Sequence, residues 1–154
     1  MIPALAAALG ALLLLAAAPA SAQQRTAGAQ TTIAHIVLPE RPERSNDPEQ
    51  ETLALQMAET LGLACSGQEM WRWKFEAEDF PRAQTIVNAG ERAFRERGYA
   101  VELLPVEIDT VTAMRARLNT LPGAQAAQPD AAVLALWYVG ELGVDLTLCR
   151  IRER

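Results

Sequence analysis

The chain carries one histidine, His35, and two cysteines, Cys65 and Cys149. Those counts limit the chemistry. A histidine-based acid–base or nucleophilic site has to use His35. That residue lies in a poorly patterned N-terminal stretch, with no G-x-S-x-G elbow anywhere to pair with it. One histidine and two distant cysteines offer no zinc-ligand spacing. The acidic triplet Glu76, Glu78 and Asp79 lacks the length and the glycine of an EF-hand loop. It reads better as charge placed at a helix N-terminus, where the dipole favours it, and as a carboxylate pair it is the remaining resource for a hydrolase. Leu61 to Gly67 contains two glycines but no phosphate-binding lysine. No catalytic residue, metal or cofactor is assigned.

The cysteines point elsewhere. An even count in an exported chain predicts a disulfide, and two cysteines allow one pairing. The C-x-x-C spacing that tunes thiol reactivity is absent, so a structural bridge between Cys65 and Cys149 is expected. With 84 positions between them, the bridge stabilises the fold by about 4–5 kcal/mol in the chain-entropy treatment.

The aromatic residues are the other candidates. Trp71, Trp73, Phe75, Trp137 and Tyr138 fall on strand-like stretches. Core filling is the bland expectation for such a set; a pocket for a small apolar ligand is the sharper one. Arg72 and Lys74 alternate with these aromatics and present cations on the opposite face, either to an anionic partner or to solvent.

These residues sit in a chain with an export address. Ala4 to Ala18 is almost purely Ala and Leu, Pro19 breaks the run, and Ala20-Ser21-Ala22 offers a small-x-small cleavage site before Gln23. That pattern predicts a signal peptide over 1–22, although Met1-Ile2-Pro3 supplies no Lys or Arg. Retention as an anchor of roughly 20 residues is the alternative. No later stretch is long and apolar enough to cross a bilayer, so no stable membrane insertion is expected after cleavage. The formal net charge of −5 and a pI near 4.9 disfavour nucleic acid as a partner. Residues 23–46 read as a flexible leader and a proline-punctuated linker, and 47–154 as a single domain.

Within that domain, Met70 to Ile108 is the organising unit of strand, helix and strand. Asp47-Pro48-Glu49-Gln50 opens a first helix, with Leu53, Met57 and Leu61 as its inward stripe, widened by Ala54 and Ala58, and Gly62 as its stop. Met70 to Phe75 alternates apolar and cationic residues and predicts a strand buried on one side. A second helix runs from Asp79 to Gly98 with Ala83, Ile86, Val87, Gly90, Ala93 and Phe94 as its stripe. Gly90 implies a close approach to the sheet, under a tryptophan. Tyr99 to Ile108 reads as a strand at an edge or with a bulge, and Asp109 to Leu118 as a short helix with Val111, Met114 and Leu118 inward. A long loop over 120–129 follows. Asp130 to Gly140 and Gly143 to Ile151 form a hairpin around Gly140-Glu141-Leu142-Gly143.

The expected fold is α+β: a two-layer sandwich of about three helices on one face of a four-stranded mixed sheet, in the order α-β-α-β-α-β-β. Crossover connections make the strands at Trp71, Val101 and Leu134 parallel and the last strand antiparallel to them, which brings Cys149 to the end where Cys65 lies. The expected function is an exported, periplasmic, non-enzymatic binding or accessory module whose partner is an unidentified protein or a small apolar ligand. The alternatives are a carrier using the aromatic face and, last, a small hydrolase using His35 or the acidic triplet.

Overall fold

The computed structural model describes residues 28–118 and 130–152. The stretches read as signal peptide, as the first part of the leader and as the 120–129 loop lie outside them. The described elements are β1 (Ala29–Gln30), β2 (Val37–Leu38), β3 (Glu43–Arg44), α1 (Pro48–Thr60), β4 (Ala64–Lys74), α2 (Phe80–Arg97), β5 (Tyr99–Leu104), β6 (Val111–Leu118), β7 (Ala132–Gly140) and β8 (Gly143–Arg152). β1 and β2 pair as a small antiparallel hairpin. The other six strands form one antiparallel sheet in the order β3-β4-β8-β7-β6-β5.

This corrects the expected two-layer sandwich of three helices on a four-stranded mixed sheet. Among the described residues there are two helices, and the main sheet has six strands, all antiparallel to their neighbours. Residues 111–118 are a strand, not a short helix. Val111, Met114 and Leu118 fit a helical stripe, but Val111, Ala113, Met114 and Ala116 are all buried. A helix would bury one stripe; a strand between two covered faces buries both. β6 also hydrogen-bonds β5 on one side and β7 on the other, so a helix there would leave two strand edges unpaired.

The two helices lie on opposite faces. Alternate residues of each central strand divide between two cores. Trp71, Trp73, Met114, Ala135, Trp137, Leu146 and Leu148 meet Ala83, Ile86, Val87 and Phe94 of α2. Ala113, Leu134, Leu136, Cys149 and Ile151 meet Ala54 and Ala58 of α1. The face expected to be wet is therefore covered, and Thr147 and Cys149 are fully buried on it. On α1 the expected Ala54 and Ala58 are buried, Met57 and Leu61 are partly buried against the same core, and Leu53 departs from expectation at half exposed, while Gln50 is buried in addition. Small side chains at 54 and 58 let the helix axis come close to the sheet.

Other local readings hold. Asp47 Oδ1 accepts from Glu49 N (2.9 Å) and Asp79 Oδ1 from Arg82 N (3.0 Å), so both helices are capped as expected. Gly98 ends α2 with φ 105°. A Cβ at Gly90 would overlap the Trp137 indole, so the glycine allows the close approach. β4 starts six residues earlier than read, at Ala64, with a bulge between Cys65 and Gly67. Since β4, β5 and β7 are each antiparallel to an intervening strand, they do run in one direction, although none neighbours another.

Candidate functional site

Cys65 and Cys149 are bridged, with Cα atoms 5.3 Å apart. They sit on directly neighbouring strands, where Gln68 opposes Cys149 and Cys65 opposes Ile151. The bulge at Ser66 makes up the offset. The bridge lies on the α1 face, with Cys149 wholly enclosed. No free thiol remains.

The aromatic set is divided by the sheet. Trp71, Trp73, Phe75 and Trp137 share the α2 face and are at most 7% exposed. Trp73 and Trp137 lie with ring centroids 5.8 Å apart. Trp73 Nε1 donates to Pro39 O (2.8 Å), and the Arg44 guanidinium lies 5.0 Å from the Trp71 ring centroid. Tyr138 is on the other face, as period-two alternation after Trp137 demands. It borders a cleft of about 330 Å3 at the β7–β8 hairpin, with Arg72, Leu142, Gly143 and Asp145. Its hydroxyl is buried without a hydrogen-bond partner, and burial raises its pKa.

Two polar clusters were not singled out from sequence. Glu69 is 3% exposed and accepts from Thr32 N (2.9 Å), Ile33 N (2.9 Å), Arg44 Nη1 (2.7 Å) and Trp71 Nε1 (3.1 Å). The carboxylate thus clamps residues 31–44 to β4. Ile33, Ala34, Ile36 and Leu38 of that segment join the α2-side core. The only signal in the sequence was a glutamate on the aromatic side of the alternating strand. The second cluster is Arg72, which donates to Asp145 (Nε–Oδ1 2.7 Å, Nη2–Oδ2 3.0 Å) and to Asp47 Oδ2 (2.9 Å). Hydrogen bonds to Asp145 and then Asp47 hold the guanidinium protonated. The hydrogen bond from Arg72, then that from Glu49 N, lowers the Asp47 pKa. Arg72 therefore ties the N-cap of α1 to β8 and is not an open anion site. Lys74 pairs with Glu43 at 3.0 Å.

The remaining candidates are scattered. His35 has φ 51° in the β1–β2 turn and borders a small hollow against Ala93, Glu96 and Arg97 of α2. Glu76 and Glu78 are exposed, and Asp79 is spent as the cap of α2. Among the described residues no three His, Cys, Asp or Glu side chains converge as metal ligands. No described helix is long and apolar enough to cross a membrane.

A larger groove lies on the α1 face. It is about 560 Å3, between Met57, Thr60 and Leu61 of α1 and the β5–β6 connection, Pro105 to Ile108. No protein-family model, no curated protein and no solved structure matches this chain.

Proposed function

We propose that the protein is a non-enzymatic binding or accessory module that works outside the cytoplasm, in the periplasm of a Gram-negative cell. One observation carries the binding reading: the side chains of Glu69, Arg72 and Gln50 hold elements together. Glu69 takes four donors, Arg72 serves two carboxylates, and Gln50 Nε2 donates to Leu146 O (3.1 Å) and Thr147 Oγ1 (3.2 Å). His35 stands apart from all of these, beside Ala93, Glu96 and Arg97 of α2. The Cys65–Cys149 bridge supports the export reading, since such bonds persist in oxidising compartments.

Protein recovered from the periplasm is expected to begin at Gln23 and to contain no titratable thiol. Recovery only in membranes with Met1 retained, or two free thiols, would overturn the address. Turnover of any substrate by the purified chain, abolished in a folded His35→Ala variant, would overturn the non-enzymatic reading. An apolar-ligand carrier remains the alternative. It requires α2 or the 31–44 segment to lift from the sheet, because the four aromatics on that face are enclosed. Tryptophan fluorescence that saturates with a small apolar probe would favour it.

A further inference from the structure

The stripe Leu53, Met57 and Leu61 lies at the edge of the face that α1 packs on the sheet: Met57 and Leu61 are partly buried against that core, and Leu53 projects beyond it. The buried positions are Gln50, Ala54 and Ala58. Leu53 is 50% exposed, beside a shallow hollow with Pro48 and Thr52. Met57 and Leu61 are half-buried and form one wall of the groove whose other wall is Pro105, Val106 and Ile108. Ile108 is also 50% exposed. Residues four apart lie on one side of a helix, so the apolar surface is continuous from Leu53 to Leu61 and across to Ile108. Single exposed apolar residues mean little; a continuous groove lined from two elements marks an interaction surface.

The charged side chains that border the groove are acidic: Glu107 lines it, Asp109 follows on the same connection, and Glu49 lies beside Leu53. The cations elsewhere on that sheet face are engaged. Arg72 is held by Asp47 and Asp145, Arg115 pairs with Glu102 (2.5 Å), and Arg117 is half-buried with interactions of its own. Two copies meeting through this surface would oppose acidic rims, and an anionic lipid surface would be repelled. A helix with an apolar stripe and basic flanks is complementary in both respects.

We infer that the groove between the Leu53–Met57–Leu61 stripe and Pro105–Ile108 is a docking surface for a basic amphipathic helix of another protein. This rests on the binding-module reading and names its surface and partner chemistry.

The test uses the full mature chain and three probes: a synthetic Leu/Lys amphipathic helix, its Leu/Glu counterpart with the same apolar stripe, and phosphatidylglycerol vesicles. The Leu/Lys helix is expected to bind. Leu53→Ser and Ile108→Ser should each weaken that binding at least tenfold, and Leu142→Ser, which removes an exposed leucine on the β7–β8 hairpin, should not. The first two leucine and isoleucine positions are half exposed, so the variants fold; an unchanged Tm verifies it. Equal loss with Leu142→Ser, equal binding of the Leu/Glu helix, vesicle binding, or a dimer dissolved by Leu53→Ser would each overturn the assignment. In cells, a photo-crosslinking residue in place of Met57 should capture one partner through a basic amphipathic segment. Capture from position 142 and not 57 overturns the surface and keeps the module reading. Capture from neither overturns both.

Discussion

Gly90 of α2 lies directly against the indole of Trp137 on β7, where a Cβ would overlap the ring. Both residues are buried, and Trp137 in turn lies against Trp73. The glycine costs about 1 kcal/mol of helix propensity relative to alanine. Gly90→Ala recovers that term and forces the indole or the helix to move, at about 1–3 kcal/mol for overpacking. The expected result is a net loss of about 1 kcal/mol, seen as a lower urea midpoint at unchanged slope. A higher midpoint would show that the contact has slack.

The clamp at Glu69 makes a second expectation. Its carboxylate is enclosed and holds the backbone amides of Thr32 and Ile33 together with Arg44 and Trp71. Glu69→Gln keeps the shape, removes the charge and turns a donor toward donors. Leaving an enclosed donor of this cluster unsatisfied costs about 1–3 kcal/mol. The loss should be local: hydrogen exchange at Thr32 and Ile33 accelerates by orders of magnitude, while Leu134 and Leu146 keep their protection. Unchanged exchange at Thr32 and Ile33 would mean that Ile33, Ile36 and Leu38 hold the segment without the clamp.

Much of this was legible in the residues, and the failures have one cause. Alternation at Trp71, Arg72, Trp73 and Lys74 divided the side chains of β4 between its two faces, but the face read as wet is covered by α1. The caps at Asp47 and Asp79, the stop at Gly98 and the turn between Gly140 and Gly143 were each marked by a residue with a local backbone reason. What failed depended on what lies across the sheet. Val111 to Leu118 satisfies helical and strand spacing equally well, and only pairing with β5 and β7 decides between them. The four-residue spacing of Leu53, Met57 and Leu61, widened by Ala54 and Ala58, placed the packed side of α1 correctly except at Leu53, which is half exposed. The clamp at Glu69 joins residues too far apart in sequence for any local pattern, and the groove beside α1 needs the β5–β6 connection, which no local pattern places against the helix.

The Asp47–Arg72 contact gives a pH dependence with a definite sign. The hydrogen bond from Arg72 lowers the Asp47 pKa below the ordinary value of about 3.9, and the Glu49 amide adds to it. A carboxylate whose folded pKa is depressed contributes stability above its unfolded pKa and loses it as pH falls through the folded one. This contribution is thus present at neutral pH and disappears in strong acid. NMR titration of the Asp47 carboxyl carbon should give a midpoint below 3.9, moving back upward in Arg72→Ala. A midpoint that ignores Arg72→Ala would remove the pairing from solution.

The two tyrosines of the chain make the last expectation, since they differ in one atom's surroundings. Tyr99 Oη donates to Asp130 O (2.6 Å), its ring meets Phe94 edge-on, and burial followed by the charge of Asp130 raises its pKa. Tyr138 is raised by burial too, but its hydroxyl has no partner. Both phenols should therefore stay neutral past the ordinary value of about 10. A raised folded pKa means that the stabilising contribution is intact below about 10 and is lost as pH climbs through the folded value. Ultraviolet titration should show no phenolate with a midpoint near 10 in the folded protein, and the alkaline rise should coincide with unfolding. The hydroxyls then separate the two sites. Tyr99→Phe removes a satisfied bond and leaves the Asp130 carbonyl unpaired, for a loss of about 1–2 kcal/mol. Tyr138→Phe removes a buried group with nothing to bond, so stability should hold or rise. Destabilisation by Tyr138→Phe as large as that by Tyr99→Phe would mean that the Tyr138 hydroxyl has a partner in solution, and the cleft beside Arg72 and Asp145 would be the place to look for it.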